Sequence, residues 1–238
     1  MRITFISDTH TKHRKCERFL PGGDMLIHAG DFMSSGYNSR EMSDFCSWFN
    51  NRRDYDHMIF IGGNHDRYLE ILPEKAKEII SSYKWIDYLQ DEEISILKGS
   101  GEYEEIVRIY GSPWQPEFYN WAFNLPRGGN ELRDKWNSIP DKGIDILITH
   151  GPPQGHLDTS GPPYNEPLLG CELLAERLSV VKPKIHVFGH IHGGAGYKFD
   201  GTTHYINASI LDERYSFRNK PITIDWDPKT NNIEFLSP

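Results

Sequence analysis

Short apolar runs that each stop at a cluster of polar side chains are the feature that most restricts how this chain can fold. The clearest run, residues 185–188, breaks at Gly189 and is followed by His190 and His192. Residues two positions apart on an extended chain point to the same side, so these two imidazoles form a natural pair of metal donors. The pair could also simply pack in a β-turn, and the remaining runs must decide between these interpretations.

Four further apolar runs end in the same way. Each is short and mainly apolar, as expected of a buried strand. Isolated examples have simpler explanations, because an Asp can cap a helix beside a surface His and a Gly-Asn pair is an ordinary turn. In chain order, the runs 2–6, 25–29, 58–61 and 144–148 are followed by Asp8 with His10, by Asp31, by Asn64 with His65 and Asp66, and by His150.

The spacing of apolar residues predicts helices between several of these strands. A helical pattern covers residues 40–51, with Met42, Phe45, Trp48 and Phe49 on one face. Alternating strands and helices imply crossover connections and parallel strands, and ligands in such sheets bind beyond the carboxyl ends of the strands. We therefore expect the five polar clusters to meet at one place. Further helices are predicted at residues 73–83 and 167–181, a strand pair at 94–97 and 106–110, and strands within 197–208 and 221–236.

Length and composition indicate one domain, residues 1–238, because no flexible or charged linker divides the chain. There are 26 Lys and Arg residues against 34 Asp and Glu residues, and the net charge of −8 argues against a sequence-independent grip on long nucleic acid. No membrane-spanning run or basic leader is evident, so we expect no membrane contact. Three widely spaced cysteines, Cys16, Cys46 and Cys171, favour buried thiols in a reduced, cytoplasmic protein.

The polar clusters contain imidazole, carboxylate and amide donors but no thiolate. That chemistry favours Mn, Fe or Zn over a structural zinc site built from cysteines. Seven donors exceed the needs of one tetrahedral or octahedral ion, but they suit two ions that share a bridging carboxylate. In addition, His65 can move a proton, and Asp66 can fix the tautomer of a nearby imidazole. The seven donors are Asp8, His10, Asp31, Asn64, His150, His190 and His192.

Two other groups of residues receive no firm role from the pattern. The segment 111–136 is rich in Trp, Tyr, Phe and Pro; its rings could wall a pocket and stack on a base, or could form a proline-stiffened loop over the core. His28 lies three positions before Asp31 and therefore on the opposite face of an extended strand, which indicates a core histidine. We expect a structural or surface role for His13, His57, His156, His186 and His204 as well.

The ordered motif set resembles that of the calcineurin-like metallophosphoesterases over nearly the whole chain. The motifs are Asp8-Thr9-His10, Gly30-Asp31, Gly63-Asn64-His65-Asp66, Thr149-His150 and Gly189-His190-Ile191-His192. Residues 111–114, 121–128, 150–153 and 205–209 resemble the metallophosphoesterase-domain-containing subfamily, which includes cyclic-nucleotide phosphodiesterases. The resemblance implies a mixed α/β fold in which two packed mixed β-sheets are flanked by helices, a four-layer αββα sandwich.

The resemblance also implies roles for individual residues. His65 resembles the family's catalytic histidine, and Asp66 its acidic neighbour. The chain departs from the family pattern at Ser34, where many members carry a second Asp, and at Gly193, where close relatives often carry an acidic residue that bears on substrate preference. His190 is retained, whereas some relatives have glycine there and bind metal poorly, so we expect a competent two-metal site. The family pattern places Asp8, His10 and His192 on one ion, Asn64, His150 and His190 on the other, and Asp31 between them.

The expected activity is metal-dependent hydrolysis of a phosphodiester. Two ions lower the pKa of a shared water that attacks phosphorus in line, and His65 protonates the departing oxygen. We expect Mn²⁺, with Fe or Zn as alternatives, and the subfamily resemblance points to 2′,3′- or 3′,5′-cyclic nucleotides as substrates. The alternatives are a single-strand nuclease, a phosphomonoesterase or protein phosphatase on the same metal core, or a nucleotide-binding sensor without turnover. The acidic balance argues against a duplex nuclease.

Overall fold

A computed structural model describes residues 1–98, 105–162, 164, 166 and 168–236 of the chain. The helices among them are α1 (Ser39–Asn50), α2 (Arg67–Ile71), α3 (Pro73–Ser81), α4 (Asn130–Asn137) and α5 (Glu172–Val181), with 3₁₀ turns at His13–Phe19 and His192–Gly194. The strands are β1 (Arg2–Ile6), β2 (Gly23–His28), β3 (Tyr55–Phe60), β4 (Ile86–Tyr88), β5 (Glu92–Lys98), β6 (Glu105–Ser112), β7 (Gln115–Pro116), β8 (Asn124–Leu125), β9 (Ile146–Thr149), β10 (Ile185–Phe188), β11 (Gly196–Phe199), β12 (His204–Asn207), β13 (Ile222–Asp227) and β14 (Asn232–Leu236).

Two six-stranded mixed sheets form the centre of the fold. The first sheet has the order β14-β13-β1-β2-β3-β4, in which β1 to β4 are parallel and the two C-terminal strands are antiparallel. The second has the order β11-β12-β10-β9-β6-β5, with a parallel centre and one antiparallel strand at each edge. Parallel neighbours bring their carboxyl ends to one edge of each sheet, which is where the predicted polar clusters lie.

The sheets pack face to face because their apolar residues alternate along each strand. In β1, Ile3 and Phe5 lie in the core between the sheets, whereas Ile6 belongs to the outer cluster that α1 and α3 cover. In β9, Ile148 enters the central core, while Leu147 packs with α4 and α5 on the other side. The period of two thus gives every central strand two apolar faces. The predicted four-layer αββα arrangement of mixed sheets and flanking helices is confirmed.

The three predicted helices are present, one of them with a later start than predicted, whereas α2 and α4 were not predicted. Helix α1 begins after Asn38, whose side chain accepts a hydrogen bond from the Arg40 amide, and buries the predicted face. The helix predicted for residues 167–181 begins only at Glu172, where the Cys171 sulfur caps the Leu174 amide. Residues 168 and 169 belong to a loop instead, and Pro167 lies outside the described residues. No helix among the described residues is long and apolar enough to cross a membrane.

Candidate metal centre and catalytic site

The polar clusters sit on sharply turned backbone directly after the strands. Asp8, His10, Asp31 and His190 all have positive φ angles, at 54°, 39°, 59° and 67°. This left-handed region is uncommon for residues other than glycine and costs on the order of 1 kcal/mol or more at each position. The surrounding hydrogen bonds must therefore hold a geometry that the backbone alone would avoid.

The first group of donors joins the end of β1 to the loop after β10. Ligand atoms of Asp8, His10 and His192 lie within 4.8 Å of one another. The Nε2 atom of His192 is 3.3 Å from Oδ1 of Asp8, and Nε2 of His10 is 3.7 Å from Oδ2 of Asp31. All four side chains are buried. This is the set that the family resemblance places on one metal ion, and the structure brings it together.

The second group is centred on the amide oxygen of Asn64. That oxygen is 2.9 Å from Nε2 of His150 and 2.8 Å from Nδ1 of His190. Nε2 of His150 is also 3.4 Å from Oδ1 of Asp31, whose other oxygen faces His10. Asp31 therefore lies between the two groups, which is the position expected of a bridging carboxylate.

Three of the histidines are oriented with one ring nitrogen toward the centre and the other toward a backbone carbonyl. Nδ1 lies 3.1 Å from the Met33 oxygen in His10, 2.9 Å from the Ala29 oxygen in His150 and 3.0 Å from the Asp212 oxygen in His192. A carbonyl oxygen only accepts hydrogen bonds, so each of these bonds puts a proton on Nδ1. Nε2 is then the ring nitrogen whose lone pair can bind a metal ion. Nε2 of His10 is buried without a hydrogen-bond partner among the described residues.

The electrostatics of the centre match a cation site. Burial raises the pKa of Asp31, but the neighbouring His150 and His65 outweigh this effect and hold the pKa well below its ordinary value. Burial lowers the pKa of His150 and of His192, yet the Asp31 and Asp8 carboxylates raise these two pKa values to about 9. Two histidines thus carry protons where positive charge is favoured. The buried nitrogen of His10, the ionised carboxylates and the all-N/O donor set fit two divalent metal ions.

Asp66 has a different role from the one that the sequence suggested. Its buried carboxylate accepts hydrogen bonds from the backbone amides of Asp31, Met33 and Gly63, each at 2.8 Å. These hydrogen bonds reach no imidazole among the described residues, so the expectation that it fixes a histidine tautomer is wrong. Asp66 instead ties the loop after β2 to the loop after β3. These hydrogen bonds position Asp31. A catalytic role for Asp66 remains a prediction.

His65 is held at the rim of the centre by contacts to its backbone and its ring. Its backbone amide donates to Oδ1 of Asp31 at 2.7 Å, and its Nδ1 lies 2.5 Å from the Ser34 carbonyl oxygen. Its ring stacks on Trp121 with centroids 4.0 Å apart. The His10 ring is 4.6 Å away in an edge contact. The imidazole is half-buried and lines the cleft, as a group that exchanges protons with a substrate must be.

Several residues around the centre were not predicted. The Ser209 hydroxyl donates to Oδ2 of Asp8 at 2.7 Å, and the His190 amide donates to both oxygens of the same carboxylate at 3.1 Å. Tyr215 packs its ring against His10 and His192, with centroids 4.8 and 5.4 Å apart. Ser209 belongs to a stretch that resembles the subfamily, which is the one signal that pointed to this region. Tyr215 has no such signal, because an isolated Tyr in a polar loop is uninformative.

A cleft of about 520 Å³ opens onto His10, Asp31, Asn64, His65, His190 and His192. Both interpretations of the aromatic segment hold, for different rings. Phe118 and Tyr119 line the cleft and Trp121 contacts His65, whereas Phe123 is buried in the outer core cluster with Trp114 packed against it. Tyr164 and Tyr215 line it from other loops. The volume suits a small ligand such as a mononucleotide.

Two histidines that were predicted to be structural make hydrogen bonds outside the two donor groups. His28 and His186 are fully buried, and their Nε2 atoms pair with the hydroxyls of Thr9 and Thr149 at 2.9 and 2.8 Å. Burial lowers the pKa of both to about 3, so they stay neutral. The structural role predicted for His28 and His186 is confirmed. The three cysteines are free and buried, as expected.

Comparison with known proteins agrees with this geometry. The chain is 41% identical over 252 residues to metallophosphoesterase domain-containing protein 1 of Homo sapiens, and equally to that of Mus musculus, covering 97% of this chain and 72% of each relative. A crystal structure of a protein from Thermus thermophilus has the same fold, with a TM-score of 0.62, 15% identity, and coverage of 98% of this chain and 97% of that one. The family model for calcineurin-like phosphoesterases matches residues 1–194. The chain belongs to the calcineurin-like phosphoesterase family.

Proposed function

We propose that this protein is a two-metal phosphodiesterase that hydrolyses small phosphodiesters, 2′,3′- or 3′,5′-cyclic nucleotides in particular. The observation that carries the proposal is the position of Asp31. Its two oxygens face two separate groups of donors, and its Oδ1 also accepts a hydrogen bond from the His65 amide. A shared carboxylate between two N/O donor sets is typical of centres that hydrolyse phosphate esters.

Two divalent ions, when bound, would activate a water for attack on phosphorus and would neutralise charge on the phosphoryl oxygens. Mn²⁺ is the ion that we propose, and Fe or Zn would also suit these donors. The chain's own contribution is to fix the donors before any ion arrives. One ion would be held by Asp8, His10 and His192, the other by Asn64, His150 and His190, and Asp31 would contact both.

His65 is the proton donor in this proposal. The Ser34 carbonyl accepts the proton of Nδ1, so Nε2 is the ring nitrogen available to the departing oxygen. Proton transfer to a leaving alkoxide by a positioned histidine contributes roughly 10²–10⁴ in rate. A ribose hydroxyl is a poor leaving group, and such a group depends most on protonation.

The aromatic rim supports a nucleotide as the substrate. Phe118 and Tyr215 lie beside different donor groups, since the Phe118 ring centroid is 6.1 Å from that of His190 and the Tyr215 ring centroid is 4.8 Å from that of His10. A base could stack on either ring.

We also propose a cytoplasmic location, which the free, buried cysteines favour.

The proposal is tested with His65→Asn in the Mn²⁺-loaded protein. Turnover of a 2′,3′-cyclic nucleotide should fall by about 10² or more, whereas bis(p-nitrophenyl) phosphate, with its good leaving group, should be affected far less. His57→Asn, a change on β3 outside the centre, is the matched control. An equal rate for wild type and His65→Asn on the cyclic nucleotide would refute the acid role.

A substrate panel separates the alternatives. Cyclic nucleotides, p-nitrophenyl phosphate, a phosphopeptide and single-stranded DNA are compared at one Mn²⁺ concentration. Preference for the DNA would indicate a nuclease, and preference for either monoester would indicate a phosphatase. Nucleotide binding without turnover of any ester would indicate a sensor.

A further inference from the structure

The charged side chains of the cleft are unevenly distributed around the metal donors. Beyond the predicted ligands and His65, the charged residues that line the cleft in the described part of the chain are Glu117, Glu166, Glu213 and Arg127. Enzymes that grip a second phosphate group normally present arginine or lysine to it. Here the excess charge is negative.

Arg127 does not compensate for these carboxylates, because its guanidinium is engaged elsewhere. One terminal nitrogen donates to Oε2 of Glu172 at 2.6 Å and to the Gly170 carbonyl at 2.9 Å. The other donates to the Leu169 carbonyl at 2.9 Å. The arginine thus fastens the loop before α5 and is paired with a carboxylate of its own. Little of its charge is available to a ligand.

Glu213 is the carboxylate with the most defined position. It is half-buried, and its Oε1 accepts the backbone amides of Gly161 at 3.1 Å and Gly193 at 2.9 Å. Gly193 directly follows the predicted ligand His192, so the negative charge lies beside the metal centre. A Cβ at Gly193 would overlap the Gly161 backbone, so the two loops approach too closely for a side chain. The carboxylate is held where it is rather than free to swing away.

We propose that Glu213, assisted by Glu117 and Glu166, makes this site selective for substrates with a single phosphate group. The inference rests on the proposed function. The phosphodiester itself would be neutralised at the metal centre, but a second phosphate on the same molecule would enter a cleft where carboxylates repel it. Glu213 is half-buried, whereas Glu117 and Glu166 are exposed and contribute less. A phosphate brought beside a partly buried carboxylate loses affinity by about tenfold or more. Cyclic mononucleotides satisfy this condition, whereas oligonucleotides and 5′-phosphorylated cyclic nucleotides do not.

The test compares two substrates that differ only in one remote phosphate. Adenosine 2′,3′-cyclic phosphate and its 5′-phosphorylated form are assayed with the Mn²⁺-loaded protein, and the ratio of their kcat/KM values is measured. We expect a ratio of about ten or more in favour of the form without the 5′-phosphate. Glu213→Gln, which keeps the acceptor oxygen for both amides, should reduce that ratio severalfold. Glu78→Gln, an exposed position on α3, should leave the ratio unchanged.

Salt gives a second measurement that needs no variant. Raising the ionic strength screens the carboxylates, so the wild-type ratio of the two kcat/KM values should fall toward one. A wild-type ratio near one would overturn the inference, as would a ratio that neither Glu213→Gln nor salt changes. Failure to hydrolyse bis(p-nitrophenyl) phosphate and both nucleotides would instead overturn the proposed function, so the two failures give different results.

Discussion

The imidazole of His65 stacks on the indole of Trp121, with ring centroids 4.0 Å apart and planes inclined by 25°. The Arg67 guanidinium also packs over the Trp121 indole, 4.8 Å from its ring centroid. The Ser34 carbonyl fixes the edge of the imidazole through Nδ1. One face and one edge of His65 are therefore set by neighbours that do not belong to the metal centre.

Trp121→Ala should slow cyclic-nucleotide hydrolysis by about tenfold or more, because a reacting group that can rotate loses much of its effective concentration. Metal content should not change, since the ring contacts of the indole are with His65 and Arg67 rather than with the predicted ligands. Trp121→Phe keeps a stacking surface and should restore most of the rate. Steady-state kinetics with poor and good leaving groups provide the measurement. A loss of equal size for both leaving groups would contradict a role through His65.

Asp31→Asn should lower the metal content at both positions, because one side chain faces both donor groups. The amide has the same shape but carries no negative charge to attract a cation. Metal content after gel filtration, measured by mass spectrometry, provides the test. The control is Asp56→Asn, an exposed carboxylate on β3. Full metal content and turnover in Asp31→Asn would show that Asp31 does not bridge.

Metal binding should weaken as the pH falls from about 9, because His150 and His192 have pKa values raised to about 9 in the metal-free chain. Below that pH both rings are protonated, and an ion must displace a proton from each. The apparent affinity should fall by about tenfold per pH unit for each histidine. Calorimetry in two buffers of different ionisation enthalpy measures the protons released. Binding at pH 7 with no proton release would contradict this prediction.

Gly193→Ala should destabilise the protein by about 1–3 kcal/mol, because its Cβ would overlap the backbone of Gly161. Gly161→Ala is the matched control, since its Cβ would meet its nearest neighbour at 3.2 Å and should cost less. Denaturant unfolding of the two variants gives the comparison. Equal stabilities would mean that the two loops separate easily.

Much of the fold and most of the candidate site could be predicted because both depend on local patterns. An apolar strand such as β10 can be recognised from its composition, and the direction of the chain then shows which residues follow its carboxyl end. Parallel packing then brings Asp8, Asp31, Asn64, His150 and His190 to neighbouring edges without further information. Helix α1 was equally visible because its buried face repeats at helical spacing.

The remaining features depend on contacts between distant segments. A carboxylate next to His65 suggested that Asp66 fixes the tautomer of a nearby imidazole, but three backbone amides from two loops donate to it instead. Trp121 could not be assigned, since nothing in an aromatic segment says which ring meets an imidazole. Helix α5 was predicted to begin too early because Leu168 and Leu169 continue the apolar spacing, although Leu168 is exposed in a loop.

Each of the two donor groups draws on both β-sheets. Asp8 and His10 follow β1 in the first sheet, whereas His192 follows β10 in the second, and Asn64 likewise meets His150 and His190 across the same seam. Neither half of the chain can therefore assemble an ion site by itself. Bound ions would link the two sheets, because each ion would have ligands from both. Loss of metal would therefore weaken the packing of one sheet against the other as well as stop catalysis.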